Sequence, residues 1–252
     1  MNYFSICAIF KNEGPYIRDW VKYHLAIGAE HIYLYDNDST DDSVNQIKWG
    51  SWANQVTIYP IHGHPMQQKA YIRFLEMHRL DSRWVLFLDI DEYLYSSTPI
   101  KELLKDYENY PCLCPHWLLF GSNHRMDYAP VPVALRFTRC QNDTNVHVKS
   151  IVNPVRTYQW VSAHRFTHDD CPVDENKNPI FMTDSTPANG TTDKIYVAHY
   201  FTKSVEEFAE RRSKPRADTG EVRQKLEETF AGHDRNDRSN LDIANTWSKL
   251  CL

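Results

Sequence analysis

The chain has 252 residues, 42% hydrophobic and 24% charged, with 8 Gly and 13 Pro; these proportions exclude disorder, a collagen repeat and a disulfide-dense miniature scaffold. Lys and Arg total 28 against 33 Asp and Glu, and the formal charge of -5 provides no global field for a polyanion, so nucleic acid is not an expected partner. At this length a single large domain buries roughly 70–75% of its unfolded surface and needs no metal or disulfide to hold it.

Tyr3 to Phe10 reads as a buried strand closed by the polar turn Lys11-Asn12-Glu13-Gly14-Pro15. Pro15 is placed to open a helix, in which Ile17, Trp20, Val21, His24 and Leu25 form an apolar stripe and Gly28 supplies the stop. A second strand, His31 to Tyr35, follows at once, and a β-α-β crossover of this length favours parallel pairing. The polar run Asp36-Asn37-Asp38-Ser39-Thr40-Asp41-Asp42 turns the chain and caps a helix near Val44 to Trp49. Val56 to Tyr59 reads as a third strand, Gln67 to Leu80 as a helix covering Tyr71, Phe74, Leu75 and His78, and Trp84 to Leu88 as a strand buried on both faces. This alternation predicts a doubly wound α/β sheet with its ligand crevice outside the carboxyl ends of the strands.

From Pro111 to His199 shorter strands are expected at 113–120, 133–138, 147–152, 157–161 and 194–199, with a mobile surface loop over 171–192. Ser204-Val205-Glu206-Glu207 is a capping box opening a helix that should end before Pro215, and residues 217–252 read as a loosely attached helical tail. The segment from Lys203 to Leu252 carries ten basic and ten acidic residues, so no polybasic membrane clamp is expected, although Lys203, Arg211, Arg212, Lys214 and Arg216 could form a local patch. The N-terminus lacks a basic lead-in and its apolar run breaks at Lys11, too early for a secretory segment, and no run of 18 apolar residues follows. The expectation is a cytoplasmic protein, with peripheral membrane association left open. Six cysteines show no CxxC pair; Cys112, Cys114 and His116 would share one strand face, where core packing competes with a metal site.

Asp89-Ile90-Asp91-Glu92 directly follows the buried strand. Residues two apart in extended chain face one way, so Asp89 and Asp91 converge at the strand's carboxyl end. Clustered carboxylates need a counter-ion, and Mg²⁺ or Mn²⁺ bridging them to a diphosphate is one solution; a solvated acidic turn is the other. The Asp36 cluster similarly reads either as a nucleoside contact or as a turn and helix cap. There is no GxGxxG and no GxxxxGK[ST]. His62 and His64 flank a glycine in a polar turn and read as solvent-facing, and Trp117 and Trp160 are candidates for stacking on sugar.

The segments CAIFKNEGPYIRDWVKYHLAIGAEHIYLYDNDSTDDS, WVLFLDIDEYLY, LLFGS, HVKSIVNP and HYFTKSVEEF, in this order, resemble the glycosyltransferase family 2 type of GT-A enzyme, closest to the branch that includes glycosyltransferase family 92. The resemblance implies an α/β GT-A fold with a mixed, mostly parallel central sheet flanked by helices over residues 1–201 and a C-terminal helical extension over 202–252. It implies a glycosyltransferase using a nucleotide-diphosphate sugar, expected to be a UDP-sugar, with a glycan or lipid-linked saccharide as acceptor, Mn²⁺ or Mg²⁺ as cofactor, and inversion at the sugar carbon. Carried onto this chain, it gives Asp89, Asp91 and His199 as metal residues, Asp91 the more direct ligand. Lys11, Asn12, Glu13, Asp36, Gln67, Asp89, Gly121, Lys149 and Lys203 become donor-binding residues. For the general base the acidic pair Asp169-Asp170 is the first candidate, followed by Asp127 and His164. A nucleotidyltransferase and a catalytically silent glycan-binding protein on the same fold are the alternatives.

Overall fold

The computed structural model describes residues 1–52, 54–181, 190–214 and 225–251. Four strands, β1 (Asn2–Phe10), β2 (His31–Asp36), β3 (Val56–Pro60) and β4 (Ser82–Phe87), pair in parallel in the order β3-β2-β1-β4. The chain winds from β1 to β2 to β3 on one side of β1 and returns to place β4 on the other. The order therefore reverses between β1 and β4, and that is where an open α/β sheet leaves its crevice.

Side chains sort themselves across this sheet with the strand's period of two. Phe4, Ile6, Ala8 and Phe10 of β1, with Trp84 and Leu86 of β4, join one core with Ile17, Trp20 and Val21 of α1 (Ile17–Ala26) and Ile47 of α2 (Ser43–Lys48). Cys7, Ile9, Val85 and Phe87 face the other core, where α3 (Gln67–His78) contributes Ala70, Tyr71, Phe74 and Leu75. Gly28 ends the turn after α1 with φ +115°, a value that side-chain-bearing residues avoid. The predicted elements of this half are all present, with shifted ends.

β5 (Glu92–Ser96) leaves the main sheet, and α4 (Ile100–Lys105) follows; neither was expected from the sequence. Trp20 Nε1 and Tyr23 Oη of α1 donate to the carbonyls of Glu92 and Leu94 at 2.8 and 2.9 Å, docking β5 beneath the helix. The strand expected over 113–120 is two strands. β6 (Cys112–Leu113) stays at the edge of the main sheet, and β7 (His116–Leu119) crosses to a second one, because Pro115 interrupts the donor row between them. Residues 133–138 do not form a strand: α5 (Val133–Arg136) is a single turn led in by Pro132, whose carbonyl accepts the N–H of Leu135 at 3.0 Å. Val133 favours a strand, but the tertiary need to turn Arg136 inward overrides it.

β8 (Arg139–Cys140) is followed by β9 (Ile151–Val152), all that forms of the strand expected over 147–152; β9 lies antiparallel between β4 and β6. β10 (Thr157–Ser162) and β11 (Arg165–His168) make a hairpin, and β12 (Ile195–His199) is the centre of the second sheet, order β5-β12-β7. The chain then forms α6 (Val205–Arg212), α7 (Leu226–His233), β13 (Arg238–Ser239), which pairs β8, and α8 (Asp242–Leu250).

Two expectations are corrected. The described part of the predicted mobile loop is fastened: buried Glu175 accepts the backbone N–H groups of Asp193, Lys194 and Ile195, each at 2.9 Å, and Val173 is buried; residues 182–189 lie outside the described residues. The tail is likewise not loose where it is described, since Ile243 and Trp247 of α8 are buried in the first core. Cys112 and Cys114 are core residues 3.6 Å apart at sulfur, and His116 Nδ1 lies 2.9 Å from the carbonyl of Asn145; among the described residues the three do not gather into a metal-ligand cluster. Among the described residues no helix is long and apolar enough to cross a membrane.

Candidate active site

A cavity of about 540 Å³ opens at the carboxyl ends of β1 and β4, the switch point of the sheet. The strand ends at Phe87, and a turn closed by the Glu92 N–H on the Asp89 carbonyl at 3.1 Å, rather than continued alternation, brings Asp89, Ile90 and Asp91 to the cavity. These two carboxylates have different partners. Asp89 accepts from Gln67 Nε2 at 3.0 Å and from Lys149 Nζ at 2.7 Å. Lys149 is fully buried and reaches Glu92 at 3.0 Å, and Glu92 also accepts the Asp89 N–H at 2.9 Å. Burial pushes the Glu92 carboxyl up to about 8, opposed by Lys149. Burial also works against the Lys149 charge, but Asp89 and Glu92 outweigh it and raise its pKa.

Asp91, buried, is approached by two guanidinium groups and an imidazole, whose own pKa burial lowers. His199 Nε2, Arg211 Nη2 and Arg212 Nη2 stand at 3.5, 3.5 and 3.4 Å, all from the same Oδ2. Burial works to raise its pKa, yet Arg211, His199 and Lys203 hold it well below the usual carboxylate range. His199 ends β12, and the next residue, Tyr200, donates its N–H to the Asp91 carbonyl at 2.9 Å, which ties the two strand ends together. Lys203 is buried with its ammonium 4.5 Å from the centre of the Tyr16 ring. Burial first, then Arg211, pushes its pKa down to about 8.

The arginines come from the last turn of α6. The expected capping box starts that helix, and Glu207 within it also receives both arms of buried Arg136 at 2.7 and 2.8 Å. Arg211 meets Glu13 at 2.9 Å, while Arg212 lies 3.8 Å over the Phe201 ring. Burial raises the Glu13 pKa despite Arg211.

The opposite wall is aromatic. Trp117 of β7 has its ring centre 4.3 Å from that of His199, 4.9 Å from His164 and 5.0 Å from His147. His164, in the β10–β11 turn, has Nδ1 3.0 Å from the Val148 carbonyl. A carbonyl can only accept, so the proton sits on Nδ1 and the lone pair on Nε2. Burial, then Lys149, pushes this imidazole's pKa down to about 3, so it is neutral at pH 7.

Lys11, Asn12, Glu13, Gln67, Asp89, Asp91, His164 and His199 all line the cavity. Lys149 and Lys203 lie buried behind the carboxylates they serve. Asp36 is outside the lining and accepts the Ser39 N–H at 3.0 Å, so its turn role is visible; its neighbour Asn37 reaches the cavity instead. Gly121 lies against the C-terminal segment: a Cβ there would stand 2.5 Å from the Arg235 carbonyl and from Asn236 Oδ1. Asp169 is held by Arg156 Nε at 2.9 Å, Asp170 stands 3.8 Å from the same guanidinium, and Asp127 is exposed; none of the three lines the cavity. His62 and His64 are both exposed, as expected; His62 pairs with Asp38, and His64 stands at the rim of the cavity. Trp160 packs against the second core. Sequence reasoning noted Arg211 and Arg212 only as part of a basic patch, and did not place them on Asp91; Arg216 lies outside the described residues.

Comparison with known proteins gives these features a family. The model of glycosyltransferase family 92 matches residues 2–230. A glycosyltransferase family 92 protein of Arabidopsis thaliana is 27% identical over 163 residues, 60% of this chain and 27% of its own, and one of Oryza sativa subsp. japonica is 28% identical over 110 residues, 42% and 19%. This chain thus spans well under a third of the length of these relatives. The crystal structure of S. aureus TarS 1-349 in complex with UDP is 16% identical, covering 61% of this chain and 47% of that one with a TM-score of 0.42. On the family match, which takes in both strand-end carboxylates, the histidine of β12 and the whole of α6, the chain belongs to glycosyltransferase family 92.

Proposed function

We propose that this chain transfers a sugar from a nucleotide-diphosphate sugar, in the first instance a UDP-sugar, to a hydroxyl of a glycan or lipid-linked saccharide, with a divalent cation and with inversion. The observation that carries the reading is Asp91 at the switch-point cavity, facing His199, Arg211 and Arg212. The Asp91 carboxylate suits Mg²⁺ or Mn²⁺, and an added imidazole favours Mn²⁺, the softer of the two. Among the described residues no three such side chains form a closed cage. The fit is to an open site, in which Asp91 and His199 hold the ion and phosphate oxygens and water complete its shell. Buried His199 Nδ1 has no hydrogen-bond partner among the described residues, and Nε2 is the ring nitrogen turned to Asp91. A bound cation would supply charge neutralisation for the diphosphate.

The chain's own residues account for the rest. The acceptor oxygen bonds to the anomeric carbon while that carbon's bond to the diphosphate breaks, the electron pair leaving with the phosphate oxygen. Arg211, Arg212 and Lys203 are preorganised beside this developing charge, where fixed cations need no reorganisation at the moment of reaction. The acceptor proton goes to His164 Nε2, the only lone pair its tautomer leaves. Asp169 and Asp170, turned to Arg156, do not compete for it inside the cavity. The diphosphate raises the basicity of His164 when it enters, as any nearby negative charge does for an imidazole. Trp117 offers a ring face to the apolar side of a sugar.

Calorimetric titration with UDP and GDP, each with Mn²⁺ and with excess chelator, tests the reading. UDP binding that requires Mn²⁺ is the expected result; no binding of either nucleotide under any condition overturns it. Release of pyrophosphate rather than UDP from the donor would identify a nucleotidyltransferase.

A further inference from the structure

We propose that Arg211 and Arg212 are an internal counter-ion for Asp91 that exchanges against a divalent cation: the guanidinium groups pass from the carboxylate to the donor diphosphate as the cation takes their place. The inference rests on the donor site proposed above and concerns how that site fills.

Three features of the geometry support it. First, the contacts are loose. Charge-assisted N–H···O bonds settle at about 2.7–2.9 Å, whereas both arginines stand at 3.4–3.5 Å from one oxygen that His199 also approaches at 3.5 Å. Second, each arginine has another hold that keeps it at the cavity when it leaves Asp91. Arg211 is paired with Glu13 at 2.9 Å, and Arg212 stacks on Phe201 at 3.8 Å and donates to its carbonyl at 3.2 Å. Third, both belong to the last turn of a helix whose first turn is held by the capping box and the Arg136–Glu207 pair, so an exchange at Asp91 needs only their side chains to move.

The charges decide what can enter. Arg211, Arg212 and Lys203 oppose Asp91 and Glu13, leaving this corner one positive charge from balance. A cation arriving alone meets three positive groups and must displace two of them from its ligand. A diphosphate arriving alone finds both arginines still engaged by Asp91 and Glu13. Cation and UDP together add about one negative charge, which the corner's one excess positive charge balances, and the arginines freed by one become partners for the other. Cation and nucleotide therefore bind with positive coupling, and by linkage each raises the other's affinity by the same factor.

Mn²⁺ binding, followed by the electron paramagnetic resonance of free Mn²⁺, is measured for wild type, Arg211→Ala, Arg212→Ala and Arg212→Lys, with and without UDP. In wild type Mn²⁺ alone should bind weakly and UDP should tighten it by about 50-fold, within the usual range of such couplings. Arg212→Ala should bind Mn²⁺ alone about ten-fold tighter and gain little from UDP, with Arg212→Lys restoring the wild-type pattern. Arg211→Ala, which removes no ring stacking, should show the same change and serves where loss of packing on Phe201 unfolds Arg212→Ala. Folded alanine variants that bind Mn²⁺ alone no tighter than wild type overturn the exchange while leaving the donor site standing. Wild type that binds UDP neither with nor without Mn²⁺ overturns both.

Discussion

The site has an anionic side and a cationic side, and they come from different parts of the chain. Glu13, Asp89 and Asp91 follow the carboxyl ends of β1 and β4 in the parallel half, and Glu92 comes directly after them as the first residue of β5. Lys149, His199, Lys203, Arg211 and Arg212 come from the later half, on a short strand approach, the end of β12, and both ends of α6. The carboxylates within one segment would repel one another, so the first half is electrostatically incomplete without the second. Neutralisation is uneven: Lys149 serves Asp89 and Glu92 as a buried structural pair, while the group on Asp91 faces an open cavity.

Experiments can break this division of labour at four points. His164→Gln keeps a polar side chain in the aromatic wall and removes the proposed base; kcat should fall about 10²- to 10⁴-fold with UDP affinity unchanged in calorimetry. An equal loss of nucleotide binding would show that His164 belongs to the donor site instead. Arg136→Ala detaches the cationic arm at its root by leaving Glu207 buried without its partner, a cost of about 3–5 kcal/mol. For a chain of this size that lowers Tm by about 6–20 °C in thermal unfolding, and a change within error would make the arm's anchor dispensable. Asp91→Asn keeps the shape of the anionic side and removes its charge; Mn²⁺-dependent UDP affinity should fall about 100-fold, as for loss of a charged partner in a buried contact. Wild-type affinity in this variant would remove Asp91 from the site.

The smallest effect is a pH dependence. Lys203 titrates near 8 in the folded chain, below about 10.4 for an unperturbed lysine. Raising the pH from 7 to 9 removes its charge, and UDP affinity should drop about ten-fold, a drop that Lys203→Gln lacks. Stability moves the other way: between these two pKa values the unfolded state binds the extra proton, so this group's contribution to folding rises with pH. Parallel titrations of affinity and Tm separate the two, and affinity falling only where Tm also falls would mean unfolding rather than loss of a phosphate contact.

Legibility follows the same division. The parallel half could be read because each of its elements carries its own signal: alternating apolar strands, the Ile17-Trp20-Val21-His24 stripe, and a glycine where the helix turn needs positive φ. Asp89 and Asp91 could be read because a strand ending in paired carboxylates is a local pattern. The second half could not be read in this way. Val133 to Thr138 has the composition of a strand, yet it turns to bury Arg136 against a glutamate 71 residues away. The described part of the predicted loop has loop composition, yet Glu175 fastens it to the start of β12. In both, long-range pairing of a buried charge outweighs local propensity, and no window of sequence contains both partners.

The sequence by itself determined the α/β order of the first hundred residues, the strand-end carboxylates, the capping box of α6 and the family resemblance, all of them set by neighbours within a few positions. Only the tertiary structure decided that Lys149 is a buried tie rather than a cavity residue, that His164 holds its proton on Nδ1, that Gly121 lies under the C-terminal segment, and that two arginines of α6 stand on Asp91. Each of those depends on which distant group a charge or a proton meets, and electrostatic partners are chosen by proximity in space after the core has formed.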